Sequence, residues 1–228
     1  MGTGMIWIIF IGIAAVSWLV QMNLQNKFKK YSKIPTGNGM TGADVALKML
    51  HDNGIYDVTV THTPGHLTDH YNPANKTVNL SESVYSSNSI MAAGGVGHGC
   101  GHAVQHARAY APLTMRSKLV PVVSFASQWM TWLLLAGILM LNSFPQLLLA
   151  GIILFALTTL FSFITLPVEI NASKRALVWL SNSGITNSYN HAQAEDALRS
   201  AAYTYVVAAL GSLATLIYYI MIFLGRRD

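Results

Sequence analysis

The chain has 228 residues, is 52% hydrophobic and only 10% charged, and has a mean hydropathy of +0.40. That profile excludes an ordinary soluble domain and describes a membrane protein. The net charge of +5 does not point to nucleic acid, because the basic residues cluster beside apolar spans, and the single cysteine, Cys100, excludes an internal disulfide.

Met5–Val20 is almost purely apolar and is followed by Asn23, Lys27, Lys29, Lys30 and Lys33. With its flanks it reaches about 20 residues, enough to span a bilayer. A cleavable signal peptide carries its positive charge before the apolar run. Here the charge follows, which predicts an uncleaved anchor over residues 1–22 with its basic end in the cytoplasm.

Residues 23–118 form the first polar segment. Thr41 is placed to cap a helix with the apolar face Val45, Ala46, Met49 and Leu50, stopped by Gly54. Tyr56–Thr61 alternates as a strand, and Gly65–Tyr71 and Lys76–Leu80 are two more short strand candidates around an Asn72-Pro73 turn. His62, His66 and His70 share one face at four-residue spacing. That pattern fits either exposed strand residues or a second metal site. Ser81–Ile90 reads as turn and cap.

His98-Gly99-Cys100-Gly101-His102 follows, within a helix expected over about 88–110, capped by Ser87 or Asn88 and limited by Pro112. Two histidines at i and i+4 offer two imidazole nitrogens to one zinc ion. Cys100 points away from them and reads as a small core residue, and His106 as a polar flank residue. Gly94, Gly95, Gly97, Gly99 and Gly101 oppose the helix, each costing about 1 kcal/mol relative to Ala. The alternative is a glycine-rich loop that cradles phosphate, but there is no Walker lysine and no preceding strand.

Leu119–Leu141 and Gln146–Leu166 form a transmembrane hairpin over residues 119–166, turning at Asn142-Ser143-Phe144-Pro145. Pro167 starts a separate helix to Leu180, closed by Asn182-Ser183-Gly184. Asn190–Arg199 is helical and runs into the last span, Ala201–Leu224. Segments 23–118 and 167–200 hold nine and three of the fourteen Lys and Arg. The positive-inside rule puts both in the cytoplasm. The hairpin returns the chain to the face it left, so Glu169 emerges close to where the histidine helix ends. It can complete a metal site or complement the dipole of its own helix start. No span carries an ionisable residue at its centre, which argues against ion transport.

These residues resemble a known family. His98-x-x-Gly101-His102-Ala103-x-Gln105-His106, then Tyr110-Ala111-Pro112, then Leu166-Pro167-Val168-Glu169-x-Asn171-Ala172-Ser173 look like the bacterial membrane neutral zinc metallopeptidases, the YugP-like family. The likeness covers nearly the whole chain and is more distant to other integral-membrane gluzincins. It implies a mainly α membrane protein with four transmembrane helices and a small α+β cytoplasmic zincin-like domain. Residues 167–200 would bring in the third ligand and residues 201–228 the last span.

The same resemblance implies a Zn2+ cofactor held by His98, His102 and Glu169, with Ser173 supporting a ligand histidine. Asp69 and Tyr71 would lie on an edge strand that takes an extended peptide. The partners would be a peptide or membrane-protein substrate and the lipid bilayer. The general-base glutamate of this family falls on Gly99, which has no side chain. Two functions follow: a zinc peptidase of the cytoplasmic membrane face, or a catalytically dead zinc-binding scaffold.

The charge bias makes a direct prediction about sidedness. A cysteine placed at Lys76 is labelled only from the cytoplasmic side of sealed vesicles, and labelling from outside would overturn the topology.

Overall fold

The computed structural model describes residues 3–65 and 68–225. In chain order the elements are α1 (Thr3–Tyr31), α2 (Gly42–Asp52), β1 (Thr59–Thr63), β2 (His70–Asn72), β3 (Thr77–Ser81), α3 (Glu82–Tyr85), α4 (Ile90–Ala107), α5 (Ala111–Leu139), α6 (Gln146–Asn182) and α7 (His191–Gly225). They divide into two compact units. One takes the chain up to Leu19, Thr114–Leu166 and from Thr204 onward; the other takes Val20–Leu113 and Pro167–Tyr203.

The first unit is helical. α1, α5, α6 and α7 are each long and apolar enough to cross a membrane. Leu134, Leu148 and Ile152 form its buried centre, against Phe155, Leu216 and Tyr219. The hairpin helices α5 and α6 meet closely at Gly137 and Gly151, where an added Cβ would strike Leu148 and Leu134 respectively. Thr159 and Ser212 hydroxyls join α6 to α7 at 2.7 Å. Outward-facing side chains stay apolar: Trp129 and Trp132 are 54% and 69% exposed, as a lipid-facing surface requires.

The second unit packs a three-stranded sheet, order β1-β3-β2, with α2, α3 and α4. β1 runs parallel to β3 and β2 antiparallel to it. α2 starts as the sequence predicts. Thr41 accepts from Asp44 N while the Asp44 carboxylate accepts from Thr41 N, a capping box. Val45, Ala46, Met49 and Leu50 are all buried on Val78, Leu80, Val96 and Cys100. Cys100 is fully buried, and burial pushes its thiol up to about 12. The polar end of α1 is clasped to the start of α7: Lys27 Nζ donates to Asp196 Oδ1 and Ser200 Oγ, both at 2.7 Å, and Tyr31 OH donates to Asp196 Oδ2 at 2.6 Å.

Several boundaries differ from the sequence expectation. The first strand is Thr59–Thr63, displaced toward the residues that pair with β3. Among the described residues of Gly65–Tyr71, only His70 and Tyr71 are strand; His66 and Leu67 lie outside the described residues. Ser81–Ile90 contains the short helix α3. The cap of α4 is Ser89, whose hydroxyl accepts from Ala92 N at 3.2 Å, because Ser87 Oγ donates to Ser89 Oγ and the Asn88 carbonyl accepts from Thr36 N. α5 begins at Ala111, ahead of the expected Leu119, and passes through Pro121.

Pro167 does not start a new helix but lies inside α6. Its missing N–H removes one backbone bond, yet burial holds the helix together beyond it. Val168, Ala172, Ala176 and Leu180, at four-residue spacing, are all 0% exposed.

That stripe explains why α4 forms despite its glycines. Thirteen of its 18 residues are buried, and tertiary burial overrides weak helix propensity. Gly97 and Gly101, one turn apart, lie on Ala176 and Ala172. A Cβ on Gly101 would sit 2.7 Å from the Ala172 carbonyl oxygen, and one on Gly97 3.1 Å from the Ala176 Cβ. Gly95 and Gly99 have no atom within 4 Å of such a Cβ. Gly95→Ala should therefore stabilise the protein by about 0.5–1 kcal/mol. Gly101→Ala should destabilise it by about 1–3 kcal/mol through overpacking. Thermal melts of the two variants in one detergent check the opposite signs.

Candidate metal centre

α4 carries His98 and His102 one turn apart on one face, with the rings 4.8 Å apart edge to face. The contact of Gly101 with Ala172 brings α6 close enough for Glu169, one turn earlier on α6, to meet both rings. His98 Nε2 lies 3.0 Å and His102 Nε2 3.4 Å from Glu169 Oε2. The ligating atoms of the three residues all lie within 4.8 Å of one another. Glu169 is 2% exposed, whereas the histidines keep one edge open at 22% and 14% side-chain exposure.

Each imidazole is held from behind. His98 Nδ1 is 3.0 Å from Ser173 Oγ, one turn beyond Glu169 on α6. His102 Nδ1 is 3.0 Å from Gln105 Oε1. Gln105 is fully buried, and its Nε2 donates to the Val168 carbonyl at 2.8 Å and to Asn171 Oδ1 at 3.0 Å. Arg175 Nε donates to the same Asn171 oxygen at 2.7 Å.

The donor chemistry fits a divalent cation. An amide oxygen only accepts, so the proton of a neutral His102 is on Nδ1 and its Nε2 faces Glu169 with a lone pair. A lone pair and a buried carboxylate in contact are unfavourable without positive charge between them. Two imidazole nitrogens and one carboxylate oxygen are the ligand set of a two-histidine, one-glutamate zinc site.

The other candidate residues fall outside this centre. His106 is exposed and its Nδ1 lies 2.8 Å from Tyr71 OH. Tyr71 is on β2, an edge strand, half-buried, and burial followed by the charge of Asp57 raises the phenol's pKa. Asp69 is a correction: it precedes β2, and its carboxylate accepts from Ser81 N and Oγ at 2.8 and 3.0 Å, tying the start of β2 to the start of α3. His62 packs edge to face on Tyr85, and His70 contacts Thr68 O and Asn79. Among the described residues, only His98, His102 and Glu169 group as metal-ligating side chains. Gly99 is buried, with open space where a side chain would begin. Sequence reasoning assigned no role to Gln105 and Asn171. The signals are present: Gln105 is three residues after His102, and Asn171 two after Glu169.

Comparison with known proteins agrees with this geometry. Residues 6–224 match the model of a family described as "Putative neutral zinc metallopeptidase". The chain belongs to this family. It is also 44% identical over 222 residues to the "Putative membrane protease YugP" of Bacillus subtilis (strain 168), covering 96% of this chain and 98% of that one. No solved structure matches. For a metallopeptidase of this family the cluster predicts its own stoichiometry. The purified protein should hold about one zinc per chain, and His102→Ala should lose it. Equal metal content in the two, measured by elemental analysis, would remove the site.

Proposed function

We propose that this is an integral-membrane zinc metallopeptidase that hydrolyses peptide bonds at the cytoplasmic membrane face, with His98, His102 and Glu169 as zinc ligands. The observation that carries the reading is the convergence of two imidazole Nε2 atoms on one buried carboxylate oxygen. Zinc, when bound, supplies Lewis-acid polarisation of a carbonyl and acidification of water. The chain supplies the rest. Ser173 and Gln105 hold the rings, and Glu169 contributes the negative charge that retains a cation. The open edges of the two histidines give a substrate access. Tyr71, on the edge strand β2, is the residue of this unit most suited to lie along an extended peptide. Apolar helices and a family relative that bears the name "Putative membrane protease YugP" support a peptide or membrane-protein substrate met at the lipid bilayer.

Gly99 sets the rate. It follows the first ligand and carries no group that takes a proton, so the chain as it stands turns over slowly. That same residue favours a second reading, a zinc-binding scaffold without turnover. The space at Gly99 accepts a Cβ without collision, so a carboxylate introduced there enters an otherwise intact site. With zinc content matched, Gly99→Glu should raise hydrolysis of a quenched peptide library by about 10²–10⁴ and leave zinc content unchanged. No activity in either form selects the scaffold. Full, chelator-sensitive activity in the glycine form would show that another side chain supplies the base.

A further inference from the structure

We propose that Gln105 is a positioning residue of the metal centre: it fixes the proton of His102 on Nδ1, so that Nε2 is presented to the metal with its lone pair. The proposal rests on the zinc-site reading above. It starts from Arg175, whose Nε can only donate. Arg175 Nε lies 2.7 Å from the Asn171 side chain, so the atom it meets is the amide oxygen Oδ1. That oxygen has a second neighbour, the Gln105 side chain at 3.0 Å, which must therefore turn its Nε2 toward it. The other Nε2 proton goes to the Val168 carbonyl at 2.8 Å. Both amide protons are then used, and Oε1 is left facing His102 Nδ1 at 3.0 Å.

A flipped Gln105 would set its oxygen against two acceptors in a site with no exposure to water, an arrangement costing about 1–3 kcal/mol for each unmade bond. The direction of every bond from Arg175 to His102 is thus determined. His98 differs. Its Nδ1 partner is the Ser173 hydroxyl, which both donates and accepts and so leaves the tautomer open. Gln105 has a further consequence. By holding the carbonyl of Val168, the residue before Glu169, it ties the ligand helix α4 to the segment of α6 that carries the third ligand.

The full-length protein in detergent, with 15N-labelled histidine, tests this with and without zinc. In the zinc-free protein, long-range 15N–1H spectra should show a proton on His102 Nδ1, whether or not Nε2 facing Glu169 carries one as well. A His102 with its proton on Nε2 and none on Nδ1 overturns the proposal without any variant. Gln105→Leu and Gln105→Met remove the acceptor; the Met variant keeps the length of the side chain and serves where the Leu variant does not fold. Both should mix the tautomers and weaken zinc binding about 10–100-fold in chelator competition. Gln105→Glu keeps an acceptor toward His102 but turns an oxygen to the Val168 carbonyl and Asn171 Oδ1, so a folded Glu variant should keep the Nδ1 proton of His102 while being less stable than wild type.

A folded Leu or Met variant with unchanged tautomer and unchanged zinc affinity makes Gln105 merely structural and sinks the proposal. A folded Glu variant whose His102 has lost the Nδ1 proton does the same. Failure of the zinc reading looks different: wild type and His102→Ala bind zinc equally poorly, while the zinc-free tautomer still reports on Gln105.

Discussion

The close contact between α4 and α6 is the constraint on which the centre depends. Gly97 and Gly101 face Ala176 and Ala172, small residues against small residues, at a separation that a Cβ on Gly101 would prohibit. Glu169 sits one turn before Ala172, so the depth of this contact decides whether its carboxylate reaches the imidazoles. A wider helix pair, built on larger side chains, would leave Glu169 buried and remote from both histidines. The apolar stripe Val168, Ala172, Ala176 and Leu180 supplies the driving force, and the glycines set the distance.

Burial then gives the carboxylate its chemical meaning. A lone carboxylate taken out of water costs several kcal/mol, and near Glu169 Oε2 two imidazole nitrogens lie within 3.4 Å. The polar groups behind the rings are directed as well as satisfied. Arg175, Asn171 and Gln105 form an ordered chain of donors and acceptors that ends on His102. Ser173 serves His98 more loosely. Gly99 stands apart from this shell. It touches no neighbour through an added Cβ, so it is the one glycine on the ligand turn that packing does not require.

Much of this was legible from residue order. The i, i+4 spacing of His98 and His102 is a property of the helix repeat, and Thr41 with Asp44 announces its cap locally. The four apolar runs match the four long helices, with shifted boundaries. Connectivity alone returns Glu169 toward the histidines, because a hairpin of two spans brings the chain back to the face it left. Local rules failed where a long-range contact outweighed them. Pro167 reads as a helix start and lies mid-helix because the stripe beyond it is buried. Gly97 and Gly101 read as helix breakers and are interhelical contacts. Asp69 reads as part of an edge strand, but its carboxylate is consumed by Ser81.

The sequence by itself determined which residues could act: two histidines on one face, a carboxylate on the same side of the chain's path, four apolar spans and a glycine directly after the first histidine. Tertiary structure alone decided how close they come and which atoms face each other. Periodicity fixes the side of an element a residue lies on, because it follows from the backbone repeat. Partner and distance arise from packing between segments far apart in sequence, such as Gly101 on Ala172 and Gln105 on Val168, and no local repeat carries that information.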